Sequence, residues 1–396
     1  MPPLPSSPAL SPVPLSPVPL SPLPLSTVPL NVFGLTSDEL ASAAQFAMPV
    51  GHGIAHTLYP QVMREGRYAP EGFPISAATA ATWHQYFQAP LLKVITHLEE
   101  ETTSGITAKA VFATHDGYEI EAVRIPMHVA EDGTMEHTIC ISSQVGCKMG
   151  CTFCETGRMG LLRHLTAGEI VAQVITARTV LGWTPKNIVF MGMGEALDNC
   201  DHVIQALQVL TDRRGLHYSQ ERITICTSGH AEGIARIAAL GWKRLNLSLS
   251  LNGASDELRS RIMPVNRKTP LAELQRILAA YPQRRNFTLG VNYCLLPGLN
   301  DTRADAAHVA AFCQPLGRVL LNLIPYNPGN APLTRAPSEL EVDTFLGWLR
   351  DEGLPVRRRI TKGRTIMAAC GQLGNVDLRL KRAGRSAVER VSEHEG

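Results

Sequence analysis

Between residues 138 and 325 the chain reads as strand then helix, six times over, and three closely spaced cysteines follow the first strand. The apolar runs are TICIS (138–142), NIVFMG (187–192), RITICTS (222–228), LNLSLSL (245–251), FTLGVNYCLL (287–296) and VLLNLIP (319–325). Helical stretches separate them. In 166–180, Ile170, Val171, Val174 and Ile175 form one stripe, and Thr166 with Glu169 makes a capping box. A further helix is expected from Ser338, with Glu341 completing its cap and Phe345, Leu346 and Leu349 on its inner face. Strands alternating with helices imply a parallel sheet. Six such units predict an α/β fold, an open (βα)6 partial barrel, whose sites gather at the C-terminal ends of the strands. The run QVGCKMGCTFCETG sits there, with Cys147, Cys151 and Cys154 spaced CxxxCxxC. Three thiolates at this spacing can hold three irons of a four-iron cluster and leave the fourth open to a small molecule, whereas a structural site closes with a fourth Cys or His. The competing readings are a zinc knuckle, a four-cysteine electron-transfer cluster, or three unrelated core cysteines. A zinc site usually takes CxxC pairs, and the chain has no second pair.

The remaining composition narrows the setting. The nine cysteines are an odd number and too sparse for a secreted disulfide scaffold, so a reducing cytoplasm is expected. No apolar run long enough to span a membrane appears without many prolines. The first 37 residues carry no charged side chain and lack the basic start of a signal peptide. They repeat SPVPL at 11–15 and 16–20 and SPLPL at 21–25, and their prolines remove backbone donors. Residues 1–34 are therefore expected to form a disordered Pro-rich tail. Residues 35–105 are expected to make a small, mainly helical accessory domain, opened by a Thr36–Glu39 capping box with Leu40, Phe46 and Ala47 following. Residues 106–137 read as a β extension, with turns at His115-Asp116-Gly117 and Glu131-Asp132-Gly133. The core then runs 138–385, with a flexible end at 386–396.

Two further segments carry chemistry. MGMGEALDN (191–199) follows the second strand; Gly192 and Gly194 let backbone approach a ligand, and Glu195 can accept hydrogen bonds from an ammonium group. Cys370 lies in TIMAACGQLGN and Cys140 on the first strand. On composition and spacing alone each reads as a small buried hydrophobe, and neither is marked as catalytic.

Taken in order, CISSQVGCxxxCxFC, MGMGE, the TSG turn at 227–229, PVNRK at 264–268, NLIPYNP at 322–328 and AACGQL at 368–373 resemble the RlmN/Cfr family. These are radical S-adenosylmethionine (SAM) enzymes that methylate carbon 2 or carbon 8 of an adenosine in ribosomal RNA, and sometimes transfer RNA. The resemblance covers roughly 118–385. It implies a [4Fe-4S] cluster on Cys147, Cys151 and Cys154, with SAM on the fourth iron. It implies that Cys370 is methylated as an intermediate, that Cys140 later forms a transient disulfide with Cys370, and that Glu121 accepts a proton. Gly194, Glu195, Cys226, Ser250, Leu251, Asn252 and Asn327 match positions that bind SAM. An RNA substrate and an electron donor such as flavodoxin or ferredoxin are implied as partners.

The chain departs from the family pattern at Ala196, usually Pro, at Cys226, usually Ser, and at Asn252, usually His. Asn252 can donate and accept but cannot titrate near neutrality. Support for RNA is local. Residues 355–385 hold nine Lys or Arg against the single acid Asp377, around Cys370. The rivals are a radical SAM enzyme acting on a peptide or small metabolite, and a non-catalytic iron–sulfur or zinc-binding RNA module. The second has no use for MGMGE or for a cysteine at 370.

Overall fold

The computed structural model describes residues 28–374, apart from 103 and 283. Tail residues 1–27 and the end from 375 lie outside that range, and with them Arg379, Lys381, Arg382 and Arg385 of the basic run.

Order begins earlier than the capping box at Thr36. A short strand β1 (Leu30–Asn31) pairs in parallel with β2 (Phe87–Gln88), and Val32 and Phe33 are fully buried. This apolar pair, next to a tail of prolines, anchors the chain before the first helix. Between β1 and β2 lie α1 (Ser37–Ala47), α2 (Ala55–Glu65) and α3 (Ala77–Tyr86). The Thr36–Glu39 capping box forms as expected, and Leu40 is buried, but Phe46 points to solvent with 64% of its surface exposed.

Three antiparallel strands follow: β3 (Lys93–Thr102), β4 (Gly105–Ala113) and β5 (Glu119–Val129). Residues 93–102 thus extend the sheet from a stretch expected to be mainly helical. KVITHLEEET has no strict period-two alternation, and pairing with β4 along the sheet edge makes it a strand. Both expected turns form, closed by Thr114 and Tyr118 and by Ala130 and Thr134.

Next comes β6 (Met135–Cys140), then a hairpin of β7 (Gln144–Cys147) and β8 (Gly160–His164) that encloses the short helix α4 (Glu155–Met159). Gly146 has φ +77° and faces the Gly160 carbonyl so closely that no Cβ fits. The repeat then proceeds through α5 (Ala167–Thr179), β9 (Asn187–Phe190), α6 (Cys200–Thr211), β10 (Ile223–Thr227), α7 (Ala231–Ala239) and β11 (Asn246–Ser250). It ends with α8 (Asp256–Ile262), α9 (Leu271–Ala279), β12 (Leu289–Leu295), α10 (Arg303–Cys313), β13 (Val319–Pro325), α11 (Glu339–Asp351) and β14 (Val356–Arg358).

The main sheet has the order β14-β13-β12-β11-β10-β9-β6-β5-β4-β3. From β6 to β14 every pair is parallel and each strand lies beside its predecessor in the barrel, so the sheet coils into an unclosed barrel of six units with β14 added at one edge. The three-residue β14 was too short to register as an apolar run. The antiparallel strands continue the same sheet at the other edge.

α5 is buried on nearly every face. The sheet covers one side, and α2 with residues 32–34 covers the other. Gly168 of α5 leaves room for the Asn31 side chain, within 2.5 Å of where a Cβ would stand. From inside this helix Gln173 reaches the segment that leaves β6. Its Oε1 accepts from Ser142 N at 2.9 Å, and its Nε2 donates to Ser142 O at 2.9 Å. An amide is needed here because a buried peptide group without a partner is costly. Gln173→Met should leave both Ser142 peptide groups unpaired and lower stability by about 2–4 kcal/mol. Urea unfolding of the metal-free protein checks this, and a loss well under about 1 kcal/mol would contradict it.

Candidate active site

The C-terminal ends of the parallel strands surround one cavity. Cys147, Cys151 and Cys154 line it, with Gly194, Glu195, Cys226, Ser250, Asn252 and Cys370. These five stretches of chain are far apart in sequence and are brought together by strands that run the same way.

The cysteine loop hangs between β7 and α4. Gly150 turns with φ +68° against Pro264, and Thr152 N donates to Ile262 O at 3.0 Å. Burial pushes the Cys147 thiol up to about 12, and raises Cys151 and Cys154 as well, each thiolate also opposing its neighbours or a nearby carboxylate. The protein alone therefore favours neutral thiols, and a cationic metal must supply the charge that makes them thiolates. Among the described residues, the one set of ligand atoms lying within 4.8 Å of each other is His115, Asp116 and Glu169. The three cysteine sulfurs do not form such a set. That spread suits separate irons of a cluster and not a single zinc. The His115 group is no metal site either, because the Arg163 guanidinium already binds both carboxylates at 2.6–2.9 Å.

MGMGE is shaped by close approach. A Cβ on Gly192 would stand 2.5 Å from Ile141 O, and one on Gly194, where φ is +105°, would stand 2.6 Å from the Gln144 side chain. Glu195 is buried, with its N donating to Gln144 Oε1 at 2.8 Å. Its Oε2 accepts from Ser228 N and Ser228 Oγ, both at 2.7 Å, and its Oε1 from Leu197 N at 3.2 Å. Ser228 thus orients the carboxylate. The TSG turn held this signal in the sequence, though the serine itself was not singled out.

Across the barrel floor runs a polar ladder. Cys226 meets Ser248, Asn292 Nδ2 donates to Ser248 Oγ at 3.0 Å, and Asn322 Nδ2 donates to Asn292 Oδ1 at 3.1 Å. Gly290 leaves the space that Ser248 needs. Asn252 has φ +57°, a left-handed conformation that Asn tolerates. Its Oδ1 accepts from Cys294 N at 2.9 Å and fastens the β11 loop to β12. Leu251 differs from its neighbours: its side chain is fully buried in the hydrophobic core and does not line the cavity, because side chains alternate faces along the chain here. Only its backbone faces the site region, with its N donating to Asn292 O at 2.9 Å.

The loop bearing Cys370 closes the cavity from above and is fastened to the cysteine loop. Glu155 N donates to Gly371 O at 2.8 Å, and Thr156 Oγ1 donates to Leu373 O at 2.5 Å. Gln372 Nε2 reaches Pro328 O at 2.9 Å. Asn327 lines a smaller adjoining cavity with Cys370, Arg359 and Lys362; its Nδ2 reaches Cys370 O at 3.5 Å, and its buried Oδ1 has no protein partner. Cys370 is exposed, whereas Cys140 is buried behind it among Val123, Met159, Met193 and Ala368. Burial raises the Cys140 thiol, and the Cys370 thiol nearby adds to the shift.

Glu121 lies outside the cavity, on β5, where it is buried beside Lys109 at 3.7 Å. Burial raises its carboxyl above the usual range, against the opposing pull of Lys109 and the Gly374 N–H, and its Oε2 has no hydrogen-bond partner. Lys109 Nζ also donates to Met367 O at 3.2 Å, so the pair abuts the Cys370 segment.

Residues 141–310 match the radical SAM superfamily. A protein of Protochlamydia amoebophila named "Probable dual-specificity RNA methyltransferase RlmN 1" is 38% identical over 89% of this chain and 96% of its own length. A protein of Syntrophotalea carbinolica named "Dual-specificity RNA methyltransferase RlmN" is 41% identical over 76% of this chain and 77% of its own. The chain belongs to the RlmN family. Among solved structures, the crystal structure of a radical SAM methyltransferase from Sphaerobacter thermophilus superimposes with a TM-score of 0.78 at 34% identity, covering 87% of this chain and 99% of that one. The family's fold of coiled parallel sheet and cysteine loop is thus the one described above.

Thiol accessibility follows directly from this RlmN-type arrangement. Brief alkylation of the native metal-free protein with iodoacetamide should modify Cys370 well before Cys140, Cys200, Cys226 or Cys313, all of which are buried. Peptide mass spectrometry reads the order, and early labelling of Cys140 would contradict the burial described.

Proposed function

We propose that this protein is a radical SAM enzyme that methylates a ring carbon of adenosine, carbon 2 or carbon 8, in ribosomal or transfer RNA. The observation that carries the reading is the pairing of an open three-cysteine loop with a separate, exposed thiol, Cys370, on the rim of the same cavity. Cys147, Cys151 and Cys154 would hold a [4Fe-4S] cluster, and SAM would complete its open iron. Bound together, these cofactors supply hydrogen-atom abstraction and an electrophilic methyl group.

The chain's own residues divide the remaining work. Glu195, oriented by Ser228, receives the amino group of SAM, and the polar groups of Ser250, Asn252 and Asn327 surround the rest of it. Cys226 stands in the floor of the cavity beside Ser248. Cys370 is the methyl carrier, which an unreactive adenine carbon requires because it cannot itself attack a sulfonium methyl. Cys140 lies behind it as the thiol that closes on Cys370 and frees the product. Glu121 takes the proton from the adduct; its raised pKa makes it a stronger base than an exposed glutamate. Arg359 and Lys362, which line the cavity beside Cys370, suit the phosphates of an RNA substrate. On this reading the enzyme works in a reducing cytoplasm with a low-potential electron donor such as flavodoxin or ferredoxin. No helix among the described residues is long and apolar enough to cross a membrane.

Cys370→Ala should keep its iron and its reductive cleavage of SAM while adenosine carbon methylation falls below detection. The assay is mass spectrometry of nucleosides from RNA incubated with the reconstituted enzyme. Retained methylation would end the carrier role. In parallel, RNA from a strain lacking the gene should lose one methyladenosine isomer, and an unchanged nucleoside profile would end the RNA assignment.

A further inference from the structure

Arg259, on α8, is fully buried, and every hydrogen-bond partner of its guanidinium is neutral. Nε donates to Leu251 O at 3.0 Å. One terminal nitrogen donates to Asn266 Oδ1 at 2.8 Å, and the other to Ser228 O at 2.6 Å and Ser250 O at 3.3 Å. Two carboxylates stand one residue away: Asp256 behind Asn266, whose Nδ2 donates to Asp256 Oδ1 at 2.8 Å, and Glu195 behind Ser228, whose N and Oγ it accepts from at 2.7 Å. Burying an ion without a directly paired counter-ion is expensive. Burial draws the Arg259 pKa down to about 10, with Cys151 and Asp256 as its charged or ionisable neighbours, so the group stays cationic at neutral pH.

The position of this cation is informative. The three carbonyls it gathers belong to residues at the ends of β10 and β11, and Ser228 and Ser250 line the cavity that the three cysteines share. A fixed positive charge with no directly paired carboxylate, set in the wall beside a cluster cysteine, acts on the cavity contents as well as on Glu195, which the same Ser228 holds. Three thiolates outweigh the charge of an oxidised four-iron core, and reduction adds another electron. A nearby cation in a low-dielectric wall favours that reduced state.

We infer that Arg259 is an electrostatic positioning residue for the iron–sulfur cluster, raising its reduction potential through a buried charge held in place by the Ser228, Ser250 and Leu251 carbonyls. The inference rests on the proposed placement of the cluster on Cys147, Cys151 and Cys154. The guanidinium also keeps those carbonyl dipoles turned toward itself. Its removal would free their negative ends, which shifts the potential in the same direction as the lost charge. The reaction concerned is a single electron passing from an external donor to the cluster, with no bond made or broken in the protein.

The test is a redox titration of the reconstituted cluster without SAM, using dithionite as the one-electron donor and electron paramagnetic resonance as the readout. Arg259→Gln should move the midpoint to a more negative potential than wild type. Arg259→Lys keeps the charge and should titrate close to wild type, even where its SAM affinity falls. Asp256→Asn removes the screened acid while leaving an oxygen for Asn266 and Leu271, and should move the midpoint the opposite way, to a more positive value. An unmoved midpoint in Arg259→Gln, a lysine variant shifted as far as the glutamine one, or an Asp256→Asn midpoint that stays or falls would each overturn the inference. Should Arg259→Gln take up no cluster, Asp256→Asn decides alone by the sign of its shift. A wild-type protein that binds no four-iron cluster overturns the proposed function together with this inference. A wild-type cluster with unmoved variant potentials overturns this inference alone.

Discussion

Everything in the site depends on strands β6 and β9 to β13 running in one direction, each beside its predecessor. Parallel pairing sends every strand end to the same rim, so the loops leaving Cys140, Phe190, Thr227, Ser250, Leu295 and Pro325 converge whatever their distance in sequence. A parallel sheet is stable only with helices on its outer face, and the burial of α5 on nearly all sides meets that need. The accessory helices are therefore part of the support for the cysteine loop. Through Gln173 the covered helix holds Ser142, and the Ser142 hydroxyl in turn donates to Glu121 O at 2.7 Å and accepts from Met193 N at 3.0 Å. One hydroxyl thus joins the β extension to the glycine-rich loop.

A second layer of order is polar and lies inside the barrel. Glu195 is committed to Ser228, Asn252 to Cys294, Asn292 to Ser248 and Asn322 to Asn292. Buried polar groups that are mutually satisfied define one arrangement, because any shift strands a donor or an acceptor. Two of the buried oxygens without a protein partner, Asn327 Oδ1 and Glu121 Oε2, lie near the Cys370 segment, where a substrate could meet them.

Much of this was legible in the sequence, for identifiable reasons. Periodicity and capping boxes announced α1, α5 and α11, because Thr36, Thr166 and Ser338 each meet a glutamate three residues on. The cysteine spacing and MGMGE marked the cavity, because thiolates and close backbone approach leave few alternative residue types. Less legible were features set by tertiary partners. β3 is a strand because β4 offers it an edge, and β14 because β13 does. Val32 and Phe33 are ordered by packing beneath the helices, although they follow a proline-rich run. Nothing local in DELRSRI signals that Arg259 is wholly enclosed. Leu251 stood among residues matched to a cofactor pocket, yet its side chain turns to the core.

The unclosed sheet leaves two free edges, and their charges carry a consequence for the protein's behaviour in a crowded solution. On one side β3 presents Glu99, Glu100 and Glu101 in succession, the first held by Arg124 and the second by Thr365. On the other, β14 is three residues long, and its Arg358 is engaged by Glu339 and Asp343 of α11. A strand from another molecule seeking backbone partners would meet repulsion from its own kind at the first edge and too short a template at the second. The barrel can thus stay open enough to admit a bulky substrate without inviting its copies to polymerise.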